Sequence, residues 1–169
     1  TVTLKDGVNL YLYDGTIINT AGKAITDNNV AVTCIIDGYG EIKNNPPADI
    51  TAYTFDNQHA SSVITVRAKL VQGNGAAPTA KTNGTIDWRV TLTESTNGAK
   101  CIWVNAGAFN ALYGGEFISN GDYSILANGA ATLLNVIVRN TGWNSAVEPT
   151  GNFHVEFSGY ATSSGLFGF

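Results

Sequence analysis

Asp14, Asp37 and Glu41 are the side chains whose types and spacing come nearest to chemistry. Asp14-Gly15 is repeated as Asp37-Gly38, a spacing of 23. In a chain coiled with that period their carboxylates stack about 4.8 Å apart, with Glu41 nearby. Such a pair could bind calcium or share a proton, as cleavage of a polysaccharide requires. The bland reading is that each Asp closes an Asp-Gly turn and bonds its local backbone, and turn chemistry favours it. His154 and Glu156 share one strand face and offer an acid-base pair, or simply a polar face opposite Phe153, Val155 and Phe157. His59, in DNQHAS, has no partner at metal-ligand spacing and reads as a solvated loop histidine. No nucleophile elbow, phosphate loop or zinc pattern occurs. No catalytic set, metal or cofactor is therefore assigned, and Asp14, Asp37 and Glu41 remain weak catalytic candidates.

Sugar binding needs less. Tyr11, Tyr13, Tyr39, Trp88, Trp103, Tyr113 and Trp143 supply aromatic platforms. Tyr11 and Tyr13 alternate with Val8, Leu10 and Leu12, so they point outward beside Asn9 and, with Tyr39, are the leading glycan-binding candidates. The same outward surface would equally serve as a subunit interface.

The elements that must position these residues follow a loose repeat of roughly 20 to 24 residues. DGVNLYLYDGTI, from Asp6, is echoed by VAVTCIIDGYGEI, from Val30; LYGGEFISN, ending at Asn120, is echoed by TLLNVIVRN, ending at Asn140, a spacing of 20. Short β-branched runs ending on Gly and Asn turns, at such a period, predict a solenoid whose coils bury their apolar faces on one another. Asn28-Asn29 is a predicted bend, because Asn tolerates left-handed backbone. The fold class is all-β: a parallel β-helix with first coils over 1–43, a departure over 44–98, further coils over 99–142 and a C-terminal cap or assembly tail over 143–169, in one domain. Asn44-Asn45-Pro46-Pro47 closes the first block. Ser62 to Gln72 and Thr85 to Ser95 then read as half-buried strands. The polar GNGAAPTAKTNG between them favours an antiparallel hairpin with a projecting loop, the alternative being two further coils.

Composition agrees with this class. Only 13% of the 169 residues are charged and 44% are hydrophobic, with β-branched and turn residues in place of helix formers. Nine scattered Lys and Arg, a net charge of -4 and a pI near 4.9 argue against nucleic acid. The apolar run from Ala130 to Val138 is too short to cross a bilayer and holds Asn135. The chain has no Met and starts at Thr1, which suggests a trimmed initiator, or a leader or larger N-terminal region outside this sequence. Cys34 and Cys101 lie about three periods apart if every intervening residue belongs to the helix. Three coils at about 4.8 Å exceed disulfide reach, whereas a large excursion in the middle would make their coils neighbours. Asn83-Gly84-Thr85 is a glycosylation sequon.

DGVNLYLYDGTI and IIDGYGEI resemble right-handed parallel β-helix proteins of the pectin-lyase-like group, which includes polysaccharide lyases, polygalacturonases and bacteriophage tailspikes. The resemblance spans the first 43 residues and, less closely, Ala99 to Asn140. The Asp-Asp pair and Gly-His-Gly of the polygalacturonase-like enzymes are missing here. It implies an extracellular or virion setting, facing carbohydrate. The expectation is a structural, adhesive virion protein, a spike, fibre or capsid-decorating subunit that binds itself, as a trimer by analogy, or other virion proteins, and host surface polysaccharide. The alternatives are a self-polymerising extracellular filament subunit and a polysaccharide lyase or hydrolase fragment. Phe153, Phe157, Leu166, Phe167 and Phe169 are the assembly candidates, because an open solenoid end needs a cap or a partner.

Overall fold

The computed structural model describes residues 1–46, 52–150 and 155–164. Seven coils stack in sequence order, each giving one strand to a seven-stranded sheet: Val2–Thr3, Ile25–Thr26, Phe55–Asn57, Ala80–Thr82, Ile102–Val104, Ile125–Ala127 and Val147–Pro149. The return limbs form a second, ten-stranded sheet. Its limbs are Leu10–Leu12 with Ile17–Thr20, Thr33–Gly38 with Glu41–Asn44, Val63–Gly73, Thr85–Ser95, Ala108–Ala111 with Gly115–Ser119, Ala130–Asn140 and Val155–Ser163. Every pairing between them is parallel. The chain is a parallel β-solenoid.

The middle of the chain does not form a hairpin. Val63–Gly73 and Thr85–Ser95 run parallel, with Val63 opposite Thr85 and Gly73 opposite Ser95. The Gly-rich stretch between them returns through Ala80–Thr82, a strand of the first sheet. These are the third and fourth coils. Departure from the repeat is confined to the connection after Asn44. Ile25 pairs with Phe55, the widest offset in the first sheet, whereas the steps from Phe55 to Ala80 and from Ala80 to Ile102 are shorter and close to the repeat.

Alternation explains why these segments are strands. In Thr85–Ser95, Ile86, Trp88 and Val90 are buried while Asp87 and Arg89 face out. The phase resets where each limb bends: after exposed Thr91, Leu92 is half-exposed and Thr93 is buried, and Leu70 and Val71 repeat this one coil earlier. A strict alternation therefore misplaces Leu70 and Leu92 as inward residues. The core is a continuous stack between the sheets, with Phe55, Trp88, Phe109 and Phe117 at its centre. Successive ring centroids are 5.6, 5.8 and 6.2 Å apart, and the Trp88 Nε1–H donates to Thr93 Oγ1 at 2.9 Å. Such edge contacts add about 0.5–1.5 kcal/mol each beyond area burial.

Polar ladders hold the corners. Asn105 Nδ2 donates to Asn83 Oδ1 at 2.8 Å and Asn83 Nδ2 donates to the Gln58 carbonyl at 2.7 Å. The amide nitrogen of the sequon is therefore committed to the scaffold. Asn28 and Asn29 do bend in the left-handed region, with φ of 51° and 59°. Below them Asp27, 1% exposed, accepts from the backbone N–H of Asn29, Gln58 and His59 and from Ser62 Oγ. Four donors on one buried carboxylate make it a structural pin between the second and third coils.

Both cysteines are buried and unbridged. Cys34 stacks on Ile64, Ile64 on Ile86 and Ile86 on Phe109 of the coil that Cys101 opens, so three coils separate them. Burial raises both thiols above their ordinary value, aided at Cys34 by Asp6 and Asp27. Neither thiol is expected to react with a thiol-specific chromogenic disulfide in the native protein, and both should react in denaturant. One thiol titrating quickly without denaturant would contradict this packing.

Candidate glycan-binding groove

On the outward side of the second sheet the bend of each limb leaves a shallow furrow along the solenoid axis. Its N-terminal part is a hollow lined by Tyr11, Tyr13, Asp14, Asp37, Tyr39 and Arg67. The alternation that buries Leu12 and Ile36 turns Tyr11 and Asp37 outward, and Tyr11 sits opposite Asp37 in register. Tyr11 and Tyr13 meet edge to face with centroids 4.7 Å apart. Tyr13 is 72% exposed, and Tyr11 and Tyr39 are more than half exposed. The three predicted tyrosines thus converge on one hollow.

The carboxylates do not stack as the repeated Asp-Gly turn suggests. Leu12 pairs with Gly38, so Asp37 lies beside Tyr11 and Asp14 falls in the turn beyond the strand. The turn after Leu12 absorbs the difference. Asp37 accepts from Arg67 Nη1 at 2.8 Å. Glu41 is bound by Lys43 at 2.6 Å and by Lys69 at 3.4 Å. Its carboxyl is held below its ordinary value of 4.5, chiefly by the hydrogen bond from Lys43, against a smaller opposing effect of burial. An ionised, doubly paired carboxylate is a poor proton donor at neutral pH. A lowered folded-state value adds stability that is full above 4.5 and is lost as pH falls through that lowered value. Glu41→Gln should therefore melt below the parent at neutral pH and converge with it in acid, once the Glu41 carboxyl is protonated in both states. A melting difference that persists in acid would show another cause.

A second hollow continues the furrow, lined by Arg89, Thr91, Tyr113, Gly115, Glu116 and Ile137 among others. Arg89 is the register neighbour of Arg67, so the two hollows adjoin. The Arg89 guanidinium lies over the Tyr113 ring at 4.3 Å and is held by Asp87 through Nε and Nη2. That hydrogen bond raises the Arg89 value further. Two coils beyond Arg89, Arg139 Nε donates to Glu116 at 2.8 Å, and its guanidinium lies 5.8 Å from the Tyr160 ring. The hollow is shaped by a bulge. Ala111 and Gly115 bracket three residues, whereas their partners Leu133 and Val136 bracket two, with Asn135 at φ 56°.

Protein-family models, curated proteins and solved structures contain no match to this chain.

Three sequence candidates lie elsewhere. Trp88 is fully buried and offers no platform. Trp103 is half-buried on the first sheet, with Lys81 Nζ 5.3 Å from its ring, and Trp143 is 72% exposed away from the furrow. His59 Nδ1 accepts from the Ser61 N–H at 3.1 Å, in a turn. Among the described residues no three His, Cys, Asp or Glu side chains gather as metal ligands. Phe157 packs half-buried on the core beside Leu133, while Phe153, His154, Leu166, Phe167 and Phe169 lie outside the described residues. The sequence reading does not include Arg67, Arg89 and Glu116, which line the two hollows. Their one sequence signal is that Arg67 and Arg89 recur at the spacing of a single coil.

Proposed function

We propose that the chain is a rigid structural and adhesive subunit of a virion spike, fibre or capsid decoration, displayed outside a cell, and that its outer furrow binds surface glycan. The observation that carries this reading is the convergence of exposed Tyr11, Tyr13 and Tyr39 with Asp37 and Arg67 in one open hollow. Tyrosine rings present flat apolar faces to the C–H faces of sugars, and an ion pair beside them offers both an acceptor and donors to hydroxyls. The solenoid holds Tyr11, Asp37 and Arg67 on strands and Tyr13 and Tyr39 in the short turns directly after them, so little ordering cost falls on binding. Self-association, as a trimer or with other virion proteins, belongs to the same proposal through the C-terminal coil. The lyase or hydrolase alternative draws no support from Asp37 and Glu41, which are both held in ion pairs.

The test is retention on immobilised polysaccharides in affinity electrophoresis, with solution mass followed by light scattering. Tyr11→Ala and Tyr13→Ala are each expected to weaken retention about tenfold, since ring contacts at the centre of a site carry most of its energy. Both positions are exposed, so melting temperature should hardly change. Retention unchanged in the double variant would sink the assignment of this furrow.

A further inference from the structure

Resting on that reading, we propose that the furrow is selective for uncharged polysaccharide and discriminates against acidic chains. The observation is that, among the described residues, every cation on this face is already spoken for. Lys43 and Lys69 pair with Glu41, Arg67 with Asp37, Arg89 with Asp87 and Arg139 with Glu116. Asp14 also lines the first hollow, so two carboxylates there face the single guanidinium of Arg67 and negative charge is in excess. A sugar carboxylate or sulfate entering the furrow must either displace a protein carboxylate from its guanidinium or sit unpaired among like charges, and both are unfavourable.

A neutral sugar meets no such conflict. Each hydroxyl is at once a donor and an acceptor. Two neighbouring hydroxyls can bridge an Arg–carboxylate pair, one accepting from the guanidinium and the other donating to the carboxylate, while the pair stays intact. Two such units adjoin on neighbouring coils, Arg67 with Asp37 beside Tyr11 and Arg89 with Asp87 under Tyr113, while Arg139 with Glu116 stands further along the limb, in the row of Ile118 and Glu94. Arg67 and Arg89 lie one coil apart, about 4.8 Å along the axis, a step that suits an extended chain crossing the coils. The occupant is therefore a linear, uncharged glycan that spans several coils.

The experiment compares retention of the full chain on uncharged glucans, mannans and galactans, and on polygalacturonate before and after complete methyl esterification. Variants Asp37→Asn and Asp87→Asn, which keep shape and free a guanidinium, run alongside with circular dichroism as the folding control. The expected result is binding confined to uncharged polymers that varies less than about twofold across a tenfold range of salt. The two Asn variants should gain about tenfold on the unesterified acidic polymer. Preferential, salt-sensitive binding of the acidic polymer by the parent would overturn the selectivity and leave glycan binding standing. No retention on any polymer would overturn the glycan reading itself. A stable oligomer that dissociates in Tyr113→Ala would overturn both, by assigning the furrow to contact between copies.

Discussion

Trp88→Ala is expected to destabilise the protein by about 3–5 kcal/mol, the largest loss for any single core truncation here. Three terms act in the same direction. The indole is fully buried at the centre of the fourth of seven coils, so its removal leaves a cavity with coils on both sides that cannot collapse without breaking strand register. It also takes away ring contacts to Phe55 and Phe109. Finally it strips Thr93 Oγ1, itself fully buried, of the Nε1–H donor. Chemical denaturation measures the effect, with Trp143→Ala as the control. Trp143 is 72% exposed, so that variant should stay within about 0.5 kcal/mol of the parent. Similar midpoints for the two variants would mean that Trp88 does not organise the core.

Gly38→Ala should be nearly as damaging, for a different reason. At Gly38 φ is +124°, a region that side chains rarely adopt, and a Cβ would stand 1.9 Å from the Leu12 carbonyl oxygen. Backbone, unlike a side chain, cannot rotate away. Either the second limb abandons its bend or the first coil lifts off, at a cost of about 3 kcal/mol or more. Because Leu12 and Gly38 both line the first hollow, glycan retention should fall with stability, and amide exchange should accelerate selectively over the first coil, from Val2 to Thr20. Gly7→Ala separates conformation from collision. Its φ of +69° is also left-handed, yet nothing lies within 4 Å of the added carbon, so its cost is expected near ~1 kcal/mol. Equal losses at the two positions would show that contact with Leu12 is not what constrains Gly38.

The solenoid was legible because β-branched and apolar residues such as Cys34, Ile36, Ile64, Val66 and Ile86 recur every second position in short runs at near-constant spacing, and Asn28-Asn29 announces its own turn. Three things were not legible, each for a physical reason. Alternation marks a half-buried strand equally well in a parallel or an antiparallel pair, so Val63–Gly73 and Thr85–Ser95 carry no sign of their mutual direction. The intervening Ala80–Thr82 is too small and too polar at Lys81 to declare itself a strand. Turn motifs align by sequence rather than by hydrogen bonds, so matching Asp14 to Asp37 set the wrong offset, and the ladder instead puts Tyr11 opposite Asp37; likewise Ser119, not Asn120, stands opposite Asn140. Tyr11 and Tyr13 of the first hollow were readable from outward alternation, whereas Tyr39, beyond the strand end at Gly38, was not. Arg89 over Tyr113 was not, since those residues sit on successive coils and meet only through coil register and the bulge before Gly115.

Parallel pairing throughout also gives the molecule a mechanical direction. All the bonds between coils point along the axis. A pull that separates the two ends loads the ladders one at a time, so coils would peel off in succession at low force, each release costing only its own contacts with the next. A sideways drag on the furrow behaves differently. It is resisted together by Arg67, Arg89 and Arg139 on different coils and by the corner amides that lock those coils against sliding. A solenoid built this way is weak as a rope and stiff as a rail, and the proposed glycan, held across several coils at once, would load it in the stiff direction.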